Sequence, residues 1–443
     1  MVHASFLSKD GWGNLHMKPK NFAFSFFILA ICSTLNSGCE FQTQSPPLDA
    51  SPSPLDDGQT KSCNTKPIEV THSPDYVPSA QSNVFLDLAK YPGARCNDGS
   101  PAVYGIRPGF GIGKNRWIIH LEGGGACATP EECAKRATRL TSSRPYQNTD
   151  VGIGGGIQSS DPTINPDFYD ATVVKIHYCS SDGWMGRRPA DPLSEDPLDR
   201  WHWQGHEIVR SVILDLQESH GLLAAKEVIL SGGSAGGVGA YMNINRVAAM
   251  LDPDVRFLGL PDSGFVISAA AFDPTEEDGI SRTNPDSQRL RLENSQMAWR
   301  AEGDIDCFAS ASTVLERQTC MQPVALSQTA GRYKIPLFVH QSLIDKSQLG
   351  NHGLEVDTIA ANETVESYLA YFTQKMRDEI ALAKNSISYF APNNIDHVVI
   401  QHDVLATEKH TFSQSDGSLK TLSVLEAIGQ WYRDPCDVKS YVQ

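Results

Sequence analysis

The sequence predicts an α/β fold with a doubly wound, mostly parallel sheet and helices on both faces. Short apolar runs typical of strands recur along the chain, and segments with helical periodicity lie between them. No repeat or second linker interrupts this alternation after about Pro67. Alternating strands and helices favour a buried parallel sheet, whose ligands lie at the carboxyl ends of its strands.

Apolar patterning predicts the main elements of this sheet and its helices. The predicted strands are Trp117–Leu121, Thr172–Tyr178, Glu227–Ser231, Val255–Leu260, Pro336–Gln341 and His397–Gln401. The predicted helices are Ile208–Leu222, Ala235–Leu251, Val365–Leu382 and Thr421–Trp431. We expect Asn284–Thr329 to be an insertion that accounts for the large size of the domain.

Residues 1–39 read as an N-terminal extension and signal peptide. A basic stretch begins at Met17, which we take as the candidate start of the protein. It precedes the apolar run Phe22–Thr34, which is shorter than a helix that spans a membrane. Leu35-Asn36-Ser37-Gly38-Cys39 resembles a lipoprotein processing site of bacteria, so Cys39 is a candidate for lipidation and a membrane tether. Plain secretion and a buried or anchoring helix are the alternatives.

The region after the signal divides into a linker and one domain. Residues 40–66 are rich in Pro, Ser, Asp and Gln, a composition typical of a flexible linker. We expect a single α/β domain in residues 67–443. The 443-residue chain has a net charge of −15 and no basic run, which argues against a nucleic-acid partner and against attraction of a polyanionic substrate.

The cysteine count favours disulfides. Removing Cys32 and Cys39 from the ten cysteines leaves eight, and an even number fits a disulfide-bonded exported protein. Zinc binding is the competing interpretation, but the sequence has no C-x-x-C pair.

The segment Lys226–Gly237 predicts a catalytic nucleophile. A β-branched strand enters the pattern Gly232-Gly233-Ser234-Ala235-Gly236, and a helical stretch follows directly. This is the strand–turn–helix arrangement of a nucleophile elbow, which presents the serine hydroxyl at a helix N-terminus. Ser234 is therefore the candidate nucleophile, and a Gly-rich turn with a serine cap is the alternative.

A serine nucleophile also needs a base, an acid that orients the base, and an oxyanion hole. Asp345 lies just past the strand Pro336–Gln341, where the acid belongs, although a loop or helix-cap role is the alternative. Position alone does not separate three C-terminal histidines as the base: His397, His402 and His410.

A glycine triplet after the strand Trp117–Leu121 is a candidate oxyanion hole. Glu122-Gly123-Gly124-Gly125-Ala126 resembles the HGGG-type loop of esterases, with glutamate in place of histidine. A plain Gly-rich loop is the alternative.

Six motifs in order resemble the pectin acetylesterase/Notum family of serine esterases. They are CNDGSPA (Cys96–Ala102), LEGGGAC (Leu121–Cys127), YCSSD (Tyr178–Asp182), SGGSAGG (Ser231–Gly237), DSGF (Asp262–Phe265) and IDKSQL (Ile344–Leu349). The resemblance covers roughly Asn83 to Tyr432 and implies an α/β-hydrolase-like fold. It implies Ser234 as nucleophile, Asp345 as acid and His397 as base. The implied oxyanion donors are the N–H groups of Gly124, Gly125 and Ala235.

The resemblance also implies disulfide pairs and shows one departure. The implied pairs are Cys127 with Cys133, Cys96 with Cys179 and Cys307 with Cys320, which leaves Cys63 and Cys436 by elimination. Family members carry a bulky aromatic residue in or beside the Gly loop, where this chain has Gly125-Ala126. A large hydrophobic wall of the acyl pocket is therefore missing at this position.

These observations predict an exported serine carboxylic-ester hydrolase. We expect it to remove acetyl or other short acyl groups from carbohydrate hydroxyls, by a mechanism that needs no metal or organic cofactor. A Notum-like deacylase for long lipid acyl groups on proteins and a non-catalytic surface binding protein on an esterase fold are the alternatives.

Overall fold

A nine-stranded, mostly parallel sheet forms the centre of the computed structural model. Its order is β1-β2-β4-β3-β5-β6-β7-β8-β11, and β9 and β10 form a separate antiparallel hairpin. The strands are β1 (Ser82–Phe85), β2 (Val103–Arg107), β3 (Arg116–Leu121), β4 (Thr172–Ile176), β5 (Glu227–Gly233), β6 (Arg256–Asp262), β7 (Leu337–His340), β8 (Ile387–Ala391), β9 (His410–Ser413), β10 (Leu419–Leu422) and β11 (Ser440–Val442). Only the pairs β1–β2 and β2–β4 of the large sheet are antiparallel.

The structure describes Cys63 and residues 65–72, 77, 79–287, 294–295, 297–329, 331–383, 387–414 and 416–443. The predicted signal peptide, Cys39 and most of the predicted linker lie outside the described residues. Residues Gln59–Gln443 form one compact unit.

Helices connect the strands and cover the sheet. The α-helices are α1 (Pro130–Ala134), α2 (Gly205–Ser219), α3 (Ala235–Ala248), α4 (Ile305–Ser310), α5 (Val314–Thr319), α6 (Pro323–Gln328), α7 (Lys346–Asn351), α8 (Glu363–Ala381), α9 (Asp403–Thr407) and α10 (Val424–Arg433). Short 3₁₀ helices lie at Gly113–Asn115, Thr138–Leu140, Arg144–Gln147, Gly156–Gln158, Pro197–Arg200 and Leu222–Ala224. Within the described ranges, no helix is both long and apolar enough to cross a membrane.

The central strands are buried on both faces, which explains their continuous apolar sequences. In β3, Trp117 and Ile119 belong to one hydrophobic core, which includes residues of α2, α3 and α8. Ile118, between them, belongs to a second core on the opposite face, where α10 packs. Successive side chains of a strand point to opposite faces, so such a strand is apolar along most of its length and a buried polar residue in it, such as His120, bonds to a neighbour. The predicted doubly wound, mostly parallel fold is confirmed.

The predicted strand at His397–Gln401 is wrong. These residues form an irregular loop, and the strand in this part of the sheet is β8. The reason lies in the partners of the backbone: the N–H groups of Val398, Val399 and Ile400 donate to the side chains of Ser263 and Asp262 and not to a neighbouring strand. The segment is apolar because it is buried, and its pattern resembles that of a strand for this reason only.

Four disulfides cross-link the described residues. They join Cys63 to Cys436, Cys96 to Cys179, Cys127 to Cys133 and Cys307 to Cys320. Cys127–Cys133 lies directly after the Gly loop, and Cys307–Cys320 ties α4 to the end of α5. Four disulfides fit an exported protein, since such bonds persist in oxidising compartments.

Candidate active site

Ser234 lies in a strained turn between β5 and α3. Its φ of 57° and ψ of −120° are uncommon for a residue with a side chain. A β-carbon on Gly232 would clash with the Gly236 carbonyl, and one on Gly236 with that of Leu121. Glycine is therefore required on both sides of the serine. Strain of this kind occurs at functional sites, and the turn has the geometry of a nucleophile elbow.

The Gly loop that follows β3 lies against this turn. A β-carbon on Gly123 would lie 2.9 Å from the β-carbon of Ser234, so the two backbones are in close contact. Gly124 and Gly125 come next with φ of +154° and +65°, and the Arg136 guanidinium donates to the Gly124 carbonyl at 2.6 Å. Ala235, the other predicted donor, is the first residue of α3. The Gly loop, Ser234 and the N-terminus of α3 thus all lie at the carboxyl ends of the parallel strands β3 and β5.

Asp345 follows β7 and is fully buried. Its Oδ1 accepts hydrogen bonds from the backbone N–H groups of Ser347 and Gln348 in the first turn of α7. Its Oδ2 lies 2.9 Å from Nδ1 of His397 and accepts a second bond from the side-chain amide of Gln341. The two oxygens of this one carboxylate therefore cap a helix and contact a histidine, which are the two roles expected from the position of Asp345 in the sequence.

His397 is the histidine that the structure brings to Asp345. Its side chain is 15% exposed, and the adjacent Val398 lies against Gly233, where a β-carbon would be 2.8 Å from a Val398 methyl group. The loop of residues His397–Gln401, called the His397 loop, therefore packs on the turn of residues Gly232–Gly236, called the Ser234 turn. His402 is exposed at the start of α9, and His410 begins β9 with its ring against Phe390.

The bond to Asp345 determines what the His397 ring can do. A carboxylate at Nδ1 requires the proton on that nitrogen, which leaves Nε2 of the neutral ring as a base. Burial favours the neutral ring, but the hydrogen bond and charge of Asp345, with the more distant charge of Asp262, outweigh it and raise the pKa of His397 above 6.5. The charge of Lys346 acts in the opposite direction.

Glu122 anchors the Gly loop, a role that its position in the sequence did not predict. Its Oε2 lies 2.7 Å from Nδ1 of His177 and accepts the N–H of Tyr178 at 3.1 Å, at the end of β4. Burial acts to raise the pKa of Glu122, but the hydrogen bond and charge of His177 outweigh this effect. Lys175 and the Tyr178 amide contribute less in the same direction as His177, and the pKa is lowered to about 2. The only sequence signal was glutamate at the histidine position of an HGGG-type loop.

Asp262, at the end of β6, also had no assigned role. Asp262 belongs to the motif DSGF, but the partners of its carboxylate, Val399 and His340, lie far along the chain. A buried acidic residue that ends an apolar strand was the signal that could have identified it.

An aromatic side chain from the β6–β7 connection lies at the end of the Gly loop. The indole N–H of Trp299 donates to the carbonyl of Cys127 at 2.7 Å. Trp299 is only 5% exposed, so it supports the loop and offers little open surface to a substrate. Ala126, two residues past Gly124, is partly exposed.

The mostly parallel sheet with a strained serine between strand and helix defines an α/β-hydrolase-like protein. Comparison with known sequences is more specific. The sequence model of the pectinacetylesterase family matches residues 78–442. The chain therefore belongs to the pectinacetylesterase family, which confirms the resemblance found in its motifs.

Similar proteins come from both branches of the family. The palmitoleoyl-protein carboxylesterases NOTUM of Homo sapiens and Mus musculus are 31% and 30% identical over 315 and 321 residues, and both alignments cover 69% of this chain. Pectin acetylesterase 7 of Arabidopsis thaliana is 33% identical over 183 residues, which is 41% of this chain and 45% of that protein. The chain spans 59% and 58% of the length of the human and mouse proteins.

Proposed function

We propose that this protein is a serine carboxylic-ester hydrolase that removes acetyl or other short acyl groups from carbohydrate hydroxyls. The observation that carries the proposal is the hydrogen bond between the buried Asp345 and His397, together with the packing of the His397 loop on the strained Ser234 turn. Family membership supports the reaction class, since relatives are named carboxylesterases and pectin acetylesterases.

In the proposed mechanism, Nε2 of His397 takes the hydroxyl proton as Ser234 Oγ attacks the ester carbonyl carbon. The backbone N–H groups of Gly124, Gly125 and Ala235 bind the oxyanion of the tetrahedral intermediate. The intermediate expels the alcohol, which receives the proton from His397, and leaves an acyl-enzyme. His397 then activates water, which releases the acid and restores Ser234. Asp345 holds the ring tautomer and stabilises the imidazolium.

A serine-reactive fluorophosphonate tests the reaction class. The esterase proposal requires covalent labelling of Ser234, identified by peptide mapping, together with acetate release from acetylated glycans. Because the chain has a net charge of −15, we expect neutral acetylated glycans to be better substrates than acetylated polyuronates at low salt. A surface binding protein on an esterase fold would neither be labelled nor release acetate.

The acid side of the pH profile should reflect His397. Catalysis needs the neutral ring, so kcat/KM should fall as the pH decreases through the pKa of His397, which lies above 6.5. Measuring kcat/KM for p-nitrophenyl acetate from about pH 5 to about pH 9 checks this, because the profile reports the groups of the free enzyme. An acid limb centred below 6.5 would contradict the assigned electrostatics of the Asp345–His397 pair.

Acyl-chain selectivity separates this proposal from the long-chain alternative. NOTUM proteins cover more of the chain than the pectin acetylesterase does, which favours the lipid deacylase as the second candidate. Because Ala126 provides no aromatic wall, each added methylene should gain much less than the ~0.8 kcal/mol of a well-packed pocket. We expect kcat/KM for p-nitrophenyl esters to be highest for acetate or propionate and flat or falling beyond butyrate.

Ala126→Trp provides the matched variant for this series. It should move the optimum towards longer chains, while Ala361→Trp, an exposed change in another part of the domain, should leave it unchanged. A steady rise in kcat/KM from acetate to octanoate in the unmodified protein would favour the lipid deacylase instead.

We also propose that the protein is exported from a bacterial cell and tethered through a lipid on Cys39. Support comes from the apolar segment before this cysteine and from the four disulfides. Incorporation of labelled palmitate that is lost in Cys39→Ser tests the tether. A secreted protein without the label would mean plain secretion.

A further inference from the structure

Asp262 is a fully buried carboxylate at the end of β6 that the proposed mechanism does not use. Its Oδ2 accepts hydrogen bonds from the backbone N–H groups of Val399 at 2.8 Å and Ile400 at 3.0 Å. The adjacent Ser263 hydroxyl accepts the N–H of Val398 at 2.9 Å. Three successive amides that follow the proposed base therefore bind to this one strand end.

The conformation of Val398 shows why these bonds matter. Its φ of 61° is a strained conformation for a β-branched residue. Backbone strain of this kind persists only where the surrounding structure enforces it. The bonds from Asp262 and Ser263 supply that constraint, and they fix the direction in which the chain leaves His397.

Asp262 is also bonded to the Ser234 turn. Its backbone carbonyl accepts the N–H of Ser234 at 2.9 Å, in continuation of the β5–β6 pairing of Gly233 with Asp262. One residue thus contacts the Ser234 turn through its carbonyl and the His397 loop through its carboxylate. Proton transfer depends on the distance between the groups on these two segments.

His340 completes the environment of this carboxylate. Its Nδ1 lies 2.7 Å from Oδ1 of Asp262, which also accepts the Ser263 hydroxyl at 3.1 Å. Nε2 of His340 is buried and has no partner among the described residues, so the ring proton belongs on Nδ1. Burial acts to raise the pKa of Asp262, but His340 and the amide donors outweigh it and keep the pKa below 3.8. The carboxylate is therefore charged at neutral pH.

We propose that Asp262 is a positioning residue, which holds the His397 loop in place against the Ser234 turn and adds a second negative charge near the imidazole. The inference rests on the proposed function. Asp262 differs from Asp345, which contacts the ring directly. Of the charged groups that act on His397, Asp345 and Asp262 favour the imidazolium and Lys346 opposes it.

Asp262→Asn tests the proposal. The amide has the same shape and retains one acceptor oxygen for Val399 and Ile400, but it lacks the charge. We expect kcat to fall by about 10²-fold with KM little changed, as for a misplaced catalytic group. The acid limb of kcat/KM should move to lower pH, because one charge that favours the imidazolium is gone.

Asp304→Asn is the matched control. Asp304 is equally buried, directly before α4, and accepts bonds from the Cys307 N–H in the first turn of α4 and from the Asn245 side chain of α3. The same change there should leave kcat and the acid limb unchanged. If Asp262→Asn keeps the kcat and acid limb of the unmodified protein, or if it loses only thermal stability, the positioning role is wrong.

Two further readouts keep the outcome decisive. If Asp262→Asn does not fold, Ser263→Ala removes the acceptor for Val398 and one donor to Asp262 Oδ1 but keeps the Asp262 charge. This variant should still lower kcat at constant KM, and an unchanged kcat would overturn the inference. Fluorophosphonate labelling separates the two proposals. If the unmodified protein is not labelled, the esterase proposal fails. If it is labelled but Asp262→Asn leaves kcat unchanged, only the positioning role fails.

Discussion

Replacing Ser234 with alanine should reduce kcat by roughly 10⁴–10⁶-fold, because the members of a catalytic triad act as a unit. The fold should be retained, since alanine keeps the β-carbon that already fits the strained turn and the backbone N–H still donates to Asp262. The measurement is kcat for p-nitrophenyl acetate, with the thermal midpoint as the check on folding.

Ser219→Ala is the control for this experiment. Ser219 is exposed at the end of α2, and its replacement should change neither the rate nor fluorophosphonate labelling. If the Ser234 variant kept more than about a tenth of the original kcat, the loss would be far too small for a triad nucleophile. Ser234 would then not be the nucleophile.

Replacing His397 with alanine should be as damaging as replacing Ser234, while His402→Ala should be mild. His397 donates to the buried carboxylate of Asp345 at 2.9 Å, so its loss removes the base and one of the hydrogen bonds to that carboxylate. His402 is exposed, and its side chain makes no capping bond at the start of α9. Its replacement should therefore cost little.

Both variants are compared by kcat at the optimal pH and by thermal unfolding. Each histidine serves as the control for the other, since they lie five positions apart in one segment. A large loss in His402→Ala with a small loss in His397→Ala would move the base to His402. That ranking would mean that the His397–Asp345 pair is not the catalytic pair.

The central part of the fold could be predicted from sequence. Strands such as β3 and β5 are apolar on both faces, and helices such as α3 and α8 have clear apolar periodicity, so local pattern and tertiary role agree. Four strands of the large sheet were not predicted: β1, β2, β8 and β11. The edge strands β1 and β11 are short and only partly buried, and β2 and β8 are buried runs of only five residues. The strand predicted at His397–Gln401 failed because burial, and not strand pairing, makes that segment apolar.

The candidate site could be predicted to the extent that it depends on strand ends. Ser234 and Asp345 follow predicted strands, so position along the chain indicates them directly. The choice of His397 over His402 needed the family resemblance, because both flank one apolar run. Asp262 and Glu122 were missed as functional residues, since their partners lie on other elements and no spacing along the chain encodes such contacts.

The Cys63–Cys436 disulfide has a consequence for the biosynthesis of the protein. Its two cysteines are 373 positions apart, and an exported chain that crosses the membrane N-terminal end first brings Cys63 into the oxidising compartment before Cys436. Cys63 can therefore meet the thiols of Cys96, Cys127 and Cys133 before its own partner arrives. Any early bond to one of these must later be exchanged, because a thiolate can attack an existing disulfide and replace one of its sulfurs. Formation of the Cys63–Cys436 bond thus waits until Cys436 has followed, and its rate should depend on a catalyst of disulfide exchange.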